Sequence, residues 1–299
     1  MSQKYFSKYL EPKVLSNINS LELIAKLVVE GFITGLHKSP FHGFSVEFSQ
    51  HKAYMPGDSL RFIDWKVYGR TDRYYIKQFE EETNLRAHIL LDVSRSMLYG
   101  SSEITKAKYA SYLAASLAYL LIQQRDAAGL VMFDENVRLK LPPKSVISYI
   151  DIILREIDNI KHGTDTNISS ALHQTAERVK RRSLIILISD LLDSADDIIA
   201  GLKHFRHDKH EVLVFHIIDP QEFSFAFKGD TIFEDLESGE KIKTQPDFIK
   251  TNYTAEYESH LKQLSIQMRN NRIDYQQLFT DTPFNTALTQ YLLKRKKLF

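Results

Sequence analysis

A short loop with oxygen-bearing side chains at alternate positions is the first candidate for chemistry in this sequence. Asp92, Ser94 and Ser96 form the pattern D-x-S-x-S directly after an apolar run. Because alternate residues of an extended segment point to the same side, we expect the carboxylate and both hydroxyls to face one point. Such oxygens are the hard ligands that Mg²⁺ prefers. The loop alone is also compatible with a helix N-cap, in which Ser and Asp accept hydrogen bonds from free N–H groups.

Two further oxygen donors follow later in the chain. Thr164 lies in a polar loop, residues 162–167, that directly precedes a predicted helix, and Asp190 ends the most apolar strand of the sequence. Hydroxyl and carboxylate oxygens from three loops would together form an oxygen-only cation site. Mg²⁺ is the expected ion, with Mn²⁺ or Ca²⁺ as alternatives.

The elements that must position these donors alternate between strands and helices from about residue 85 onward. Short, continuously apolar strands separated by helices favour an α/β fold with a mostly parallel central sheet and helices on both faces. Asp92, Asp190 and Asp219 follow such strands, so they are expected at one edge, where ligands of these sheets bind. The predicted strands are 86–92, 128–133, 137–141, 183–190, 211–219 and 273–279, and the predicted helices are 110–121, 146–157, 168–180, 195–205, 246–270 and 284–296.

The chain divides into two predicted parts. Residues 1–82 form an N-terminal helix/β extension with an amphipathic helix at 21–34, a turn-rich segment and a strand at 74–82, and we expect them to pack on the core. Residues 83–299 form the α/β domain. A break in its alternation at 221–246 predicts an inserted hairpin.

Composition excludes several classes of protein. The 299 residues carry 39 basic and 38 acidic side chains. The sequence therefore lacks the excess of basic residues that is typical of a nucleic-acid-binding protein. The absence of cysteine excludes disulfides, thiolate zinc sites and cysteine nucleophiles. No signal peptide and no segment long enough to span a bilayer is recognised, so we expect a cytoplasmic protein. The basic run 294–297 and the histidines at 204, 207 and 210 are interpreted as solvated helix ends.

The predicted cation site resembles the metal-ion-dependent adhesion site of von Willebrand factor A domains. The residues that match its ligands one by one are Asp92, Ser94, Ser96, Thr164 and Asp190. One departure is the pair Leu191-Leu192, which follows Asp190 where adhesion-type domains usually have glycine.

Motifs outside this site indicate a more specific family. Residues 54–66, 78–82, 233–240 and 279–283 resemble the bacterial family catalogued as domain of unknown function 58, whose members join such an N-terminal segment to a von Willebrand A-like domain. One departure is His51-Lys52, where the family pattern has arginine.

The resemblance implies a non-catalytic protein-interaction module. Its ion would keep one position open for an Asp or Glu of a partner protein, with a MoxR-type AAA+ ATPase or its client as the expected partner. Around the ion, we expect Arg95, Met97, Leu191 and Leu192 to form a collar that contacts the partner. Packing of the two leucines beneath the next helix is the alternative.

Two other functions remain open at this point. A metal-dependent hydrolase of phosphatase type could use Asp92 and Asp190 around the ion, although no lysine or arginine is evident as a phosphate clamp. A scaffold with a purely structural ion is the third possibility. Nucleotide-dependent catalysis lacks its glycine-rich motifs.

Overall fold

The computed structural model describes residues 11–37, 51–53, 65–77, 85–163, 168–227, 229–236 and 239–296. Their centre is a six-stranded sheet in the order β10-β7-β6-β3-β4-β5. In chain order the elements are α1 (Pro12–Leu15), α2 (Leu21–His37), β1 (His51–Ala53), α3 (Trp65–Thr71), β2 (Tyr75–Lys77), β3 (Arg86–Asp92), a 3₁₀ turn (Ser96–Leu98), α4 (Lys106–Gln123), β4 (Ala127–Phe133), β5 (Val137–Lys144), α5 (Tyr149–Asp158), α6 (Ile168–Arg178), β6 (Leu184–Ser189), α7 (Ala195–His207), β7 (Glu211–Ile218), α8 (Pro220–Ser224), β8 (Thr231–Glu234), β9 (Lys241–Thr244), α9 (Pro246–Asn270), β10 (Asp274–Phe279) and α10 (Phe284–Lys296).

The sheet is mostly parallel and is covered on both faces. β5 pairs antiparallel with β4, and the other neighbouring strands of the sheet pair parallel. Alternate residues of β3 enter two separate hydrophobic clusters: Ile89 and Leu91 pack with α2, α4, α5 and α10, whereas Leu90 packs with α6, α7 and α9. Two apolar faces explain why these strands are continuous apolar runs. The predicted α/β fold class, a mostly parallel central sheet with helices on both faces, is confirmed.

The strand order brings the predicted ligands to the point where the direction of chain winding reverses. β3 and β6 are neighbours, and from them the chain proceeds outward to β4 and β5 on one side and to β7 and β10 on the other. Asp92 ends β3 and Asp190 directly follows β6, so both lie at the carboxyl ends of these two strands. Sheets of this kind bind their ligands in the crevice at such a reversal.

The N-terminal helix α2 packs on the α/β core. Its apolar face, which includes Ile24 and Val28, is buried in the same cluster as α4. β1 and β2 form a small antiparallel pair. Most of the predicted turn-rich segment lies outside the described residues.

The edge strand β5 continues beyond its predicted end at Leu141. The prediction was wrong because Pro142 and Pro143 lie within the strand, at an edge where a residue without an N–H group can be accommodated. Gly129 of β4 permits this approach, since a Cβ atom there would meet the Leu141 carbonyl oxygen at 2.7 Å.

The predicted insertion is present as the antiparallel hairpin β8-β9. The short helix α8 before it was not predicted. Its capping box joins Asp219 and Glu222, so the pattern D-x-x-E was an available signal. Over the described residues, no helix combines the length and apolar character needed to cross a membrane.

Candidate cation site

Asp92 is held rigidly at the centre of the candidate site. Its Oδ1 accepts a hydrogen bond from the Ser94 amide at 2.9 Å, and its Oδ2 accepts one from the Ser189 hydroxyl at 2.6 Å. Burial and the negative charge of Asp190 raise the pKa of Asp92 to about 7, although the hydrogen bonds from Ser189 and Ser94 act in the opposite direction. A buried carboxylate beside a second one is an environment in which a cation would restore the charged form.

The two serine hydroxyls of the loop meet beside this carboxylate. The Oγ atoms of Ser94 and Ser96 lie 3.0 Å apart, with Ser94 buried and Ser96 half-buried. Arg95 between them has helical dihedral angles and leads into the 3₁₀ turn that begins at Ser96. The two hydroxyls converge as the sequence predicted, but a turn, and not alternation along an extended segment, brings them together.

Asp190 provides the most informative atom of the site. Its Oδ2 accepts a hydrogen bond from the Lys106 ammonium at 2.9 Å, whereas its Oδ1 is buried and has no hydrogen-bond partner among the described residues. Buried acceptors rarely remain unsatisfied, because their desolvation is then uncompensated. Among the described residues, the Oδ1 atom is therefore the acceptor of the site that is free to contact a cation.

Leu191, the residue after Asp190, has a backbone conformation that is unusual for a leucine. Its φ is +50°, in the left-handed region that favours glycine, and its amide donates a hydrogen bond to the Ser189 hydroxyl at 3.0 Å. The Leu191 side chain is fully buried in the cluster beneath α7. A glycine would adopt this backbone conformation more easily. The leucine instead buries its side chain in the core.

His162 and Gly163 contact the residue that follows Asp92, whereas Thr164 lies outside the described residues. The amide of the preceding Gly163 donates a hydrogen bond to the Val93 carbonyl oxygen at 3.1 Å. Only glycine fits at this contact, because a Cβ atom would overlap the carboxylate of Asp134. The role of Thr164 as a ligand stays a prediction.

Sequence reasoning missed Lys106, the first residue of α4. Its ammonium lies 2.9 Å from Asp190 Oδ2 and 2.8 Å from Glu222 Oε1, and its side chain is fully buried. We call Lys106, Asp190 and Glu222 the Lys106 triad. Burial alone would lower the pKa of Lys106, but the two carboxylates outweigh it and raise the pKa. The available signal was a lysine in the first turn of an apolar helix, where the helix dipole disfavours a cation unless a carboxylate compensates it.

The residues present fit a divalent cation. Ionised Asp92, Asp190 and Glu222 carry three negative charges against the one positive charge of Lys106, which leaves a formal charge of −2. Hydroxyl oxygens and the unsatisfied Asp190 Oδ1 suit a hard ion. Within the described ranges, no three His, Cys, Asp or Glu side chains gather as a metal cluster. The candidate donors are therefore two carboxylates and two hydroxyls.

Of the four residues predicted to form a collar around the ion, two are exposed and two are buried. Arg95 is exposed and the Leu192 side chain is half-exposed, so both can reach a partner. Met97 and Leu191 are fully buried, so the prediction that they contact a partner is wrong for this conformation. Met97 lies in the 3₁₀ turn and Leu191 has a left-handed backbone conformation, and each packs into a core cluster, which the sequence alone did not show.

Two of the polar residues interpreted as solvated helix ends are buried. The buried His210 has its Nδ1 3.1 Å from the Ser183 amide, which donates to it, and its Nε2 3.2 Å from the Val179 carbonyl oxygen. The interpretation of a solvated helix end was wrong for His210. It was also wrong for Lys294, whose ammonium is buried and lies 2.7 Å from Glu211.

Comparisons with known proteins agree with this fold. An uncharacterized protein of Mycobacterium tuberculosis is 25% identical over 234 residues, which cover 77% of this chain and 73% of that protein. An aerotolerance-related membrane protein from Bacteroides fragilis, carrying multiple mutations to serines, has a similar structure with a TM-score of 0.50, at 18% identity over 71% of this chain and 99% of that one. The VWA domain of SpRpn10 gives a TM-score of 0.40 at 12% identity, covering 69% of this chain and 95% of that one.

The family follows from a match to most of the sequence. The family model covers residues 50–263, from the predicted N-terminal segment through strands β3 to β7 of the central sheet and the inserted hairpin into α9. The chain belongs to the family described as Protein of unknown function DUF58.

Proposed function

We propose that this protein is a non-catalytic protein-interaction module that binds a carboxylate of its partner through a Mg²⁺-type ion. The observation that carries the proposal is the buried Oδ1 of Asp190, which lacks a partner among the described residues and belongs to a carboxylate close enough to Asp92 to raise its pKa. Asp92, Ser94, Ser96 and Asp190 would hold the ion, with Thr164 completing the set. When bound, a divalent ion would supply an electrophilic centre for an incoming Asp or Glu.

The surroundings of the site support binding rather than turnover. A phosphatase of this type would need a basic group free to hold the phosphoryl oxygens. Lys106 reaches the site, but it is fully buried and bound to Asp190 and Glu222. The exposed Arg95 and half-exposed Leu192 instead offer a charged and an apolar contact beside the site.

Ion binding is tested by titrating the purified protein with Mn²⁺, followed by electron paramagnetic resonance and calorimetry. We expect saturable binding of one ion that Mg²⁺ displaces and that Asp92→Asn and Asp190→Asn abolish. Asp151→Asn, on the distant helix α5, is the matched control and should bind as the wild type does. Absence of binding to the folded wild type would refute the proposal.

Partner binding requires a separate experiment. We propose a MoxR-type AAA+ ATPase, or its client, as the partner and the cytoplasm as the location. Purified ATPase from the same genome should be retained by the immobilised protein in Mg²⁺ and released by chelator, and Asp92→Asn should not retain it. Mg²⁺-stimulated hydrolysis of p-nitrophenyl phosphate would favour the phosphatase alternative. An ion that raises only the melting temperature would favour a structural role.

A further inference from the structure

Lys106 is a positively charged group built permanently into a site that we propose to bind a cation. Its ammonium hydrogen-bonds the same carboxylate whose other oxygen lacks a partner, and its side chain has no exposure to solvent. A fully buried lysine is rare unless it is paired. Here it has two partners, Asp190 and Glu222, from elements 84 and 116 residues further along the chain.

The position of the ammonium determines how Asp190 can serve the ion. The hydrogen bond to Oδ2 uses one lone pair of that oxygen and directs it toward Lys106, whereas Oδ1 accepts no hydrogen bond from the described residues and is the more available of the two oxygens. The positive charge also offsets the charge of Asp190, so a cation beside Oδ1 experiences repulsion from Lys106 together with attraction to the carboxylate. In a buried site such interactions remain strong, because little water screens them.

Glu222 limits this repulsion. Its Oε1 accepts a hydrogen bond from Lys106 at 2.8 Å, while its Oε2 lies 3.4 Å from the amide of Asp219, so the capping box of α8 holds the side chain in place. The triad is therefore an arrangement in which one lysine charge is shared between a candidate ligand and a carboxylate fixed to a separate helix.

We infer that Lys106 sets the properties of the cation site, by keeping the affinity for the ion moderate and the bound ion attractive to a carboxylate from outside. With Lys106 present, the charges of Lys106, Asp92, Asp190 and Glu222 and of a divalent ion sum to zero when the three carboxylates are ionised. Without it, the same groups would hold the ion more tightly and leave a net negative charge that repels an incoming carboxylate. This inference rests on the proposed function, because it concerns the same ion.

The experiment compares Lys106→Met with the wild-type protein in two measurements. Mn²⁺ titration by electron paramagnetic resonance should show an affinity at least about tenfold higher in Lys106→Met. The paramagnetic broadening of ¹³C-acetate by the Mn²⁺-loaded protein should be weaker in the variant, because acetate then meets a more negative site. Equal or lower Mn²⁺ affinity in Lys106→Met would overturn the inference and leave the proposed function intact.

A second variant keeps the test decisive if Lys106→Met does not fold. Glu222→Gln removes the competing carboxylate and leaves the lysine charge entirely on Asp190, so Mn²⁺ affinity should fall by about tenfold. Asp193→Asn removes a nearby carboxylate that does not contact Lys106, and its effect should be less than about threefold. Equal effects of Glu222→Gln and Asp193→Asn would overturn the inference.

The remaining outcomes separate the two proposals. Mn²⁺ binding by Lys106→Met but not by the wild type would refute the proposed function while supporting the effect of the Lys106 charge. No binding by either folded protein would overturn both.

Discussion

Buried lysines lie at opposite ends of the central sheet, and each is held between two carboxylates. At the carboxyl ends of the strands this is the Lys106 triad. At the amino ends, the Lys294 ammonium lies 2.7 Å from Glu211 Oε2 and 2.7 Å from Asp274 Oδ2. The two clusters use the same residue types in the same fold, yet they differ in what surrounds them.

The carboxylates of the amino-end cluster are fully balanced by cations. Arg206 donates a hydrogen bond from Nη1 to Glu211 Oε2 at 2.8 Å, so Lys294 and Arg206 match the charges of Glu211 and Asp274, and the exposed Arg182 lies 3.7 Å from Glu211 Oε1. Burial alone would raise the pKa of Glu211, but the hydrogen bonds and charges of Lys294 and Arg206 lower it. Such a cluster has the properties of a structural ion network.

The carboxyl-end cluster lacks a second cation among the described residues around it. Asp92 adds a third carboxylate to this cluster. The pKa of Asp92 is raised, whereas the pKa of Glu211 in the amino-end cluster is lowered. An oxygen of Asp190 also remains without a partner. The comparison therefore distinguishes an ion network whose carboxylates are matched by cations from one that has an excess of carboxylates and an unsatisfied oxygen among the described residues.

Lys106→Met is expected to give the largest effect on this comparison. In the presence of chelator it should lower the free energy of unfolding by about 3 to 5 kcal/mol, because Asp190 and Glu222 lose their buried counter-ion. Mn²⁺ should recover a larger part of the stability than it adds to the wild type. Urea denaturation with and without Mn²⁺ measures both quantities.

The matched control is Lys108→Met in the same helix. This lysine is half-buried and lies outside the triad, so its loss should cost less than about 1 kcal/mol. If Mn²⁺ gave Lys106→Met no more stability than it gave the wild type, the two ends of the sheet would not differ in the way described.

Lys294→Met tests the opposite end and should have a smaller effect. We expect a loss of about 2 to 3 kcal/mol, below the range for a fully buried pair, because the Asp274 side chain is 38% exposed. Mn²⁺ should not reverse this loss, since Arg206 still faces Glu211. The exposed Lys203→Met serves as the control in the same denaturation experiment, and a Mn²⁺-dependent recovery of Lys294→Met would contradict the comparison.

The sequence predicted the sheet and the positions of its polar ends because both depend on local patterns. The apolar runs before Asp92 and Asp190 are continuous, so strand ends and the carboxylates that follow them could be located from spacing alone. The helix Pro246–Asn270 has the predicted bounds for a related reason, since proline suits a first helical turn.

What the sequence did not predict depends on contacts between distant residues. Lys106 and Lys294 pair with groups 84 and 83 residues away, and no local pattern encodes those contacts. The burial of Met97 and Leu191 also follows from packing against other elements. A local pattern thus identified the candidate ligands, while tertiary contacts determine their charge and accessibility.

The smallest expected effect is that of Glu211→Gln on the pH dependence of the free energy of unfolding. This variant tests most directly whether ion pairs stabilise the amino-end cluster. The pKa of Glu211 in the folded protein lies below its ordinary value of 4.5. Its ion pairs therefore contribute stability above about pH 4.5, and this contribution is lost as the pH falls through the lower folded pKa, because the unfolded chain takes up the proton more readily. Glu211→Gln should cost about 1 to 2 kcal/mol at neutral pH and should make the decline in stability below pH 4.5 shallower.

Urea unfolding from about pH 3 to pH 7 in chelator measures this decline without any contribution from a bound ion. Glu256→Gln, an exposed glutamate of α9, provides the control and should retain the wild-type pH profile. An acid decline in Glu211→Gln as steep as in the wild type would show that the Lys294 and Arg206 contacts do not stabilise the ionised carboxylate. In that case the amino-end cluster would not be the charge-balanced counterpart of the Lys106 triad, because its acid sensitivity would arise from other groups.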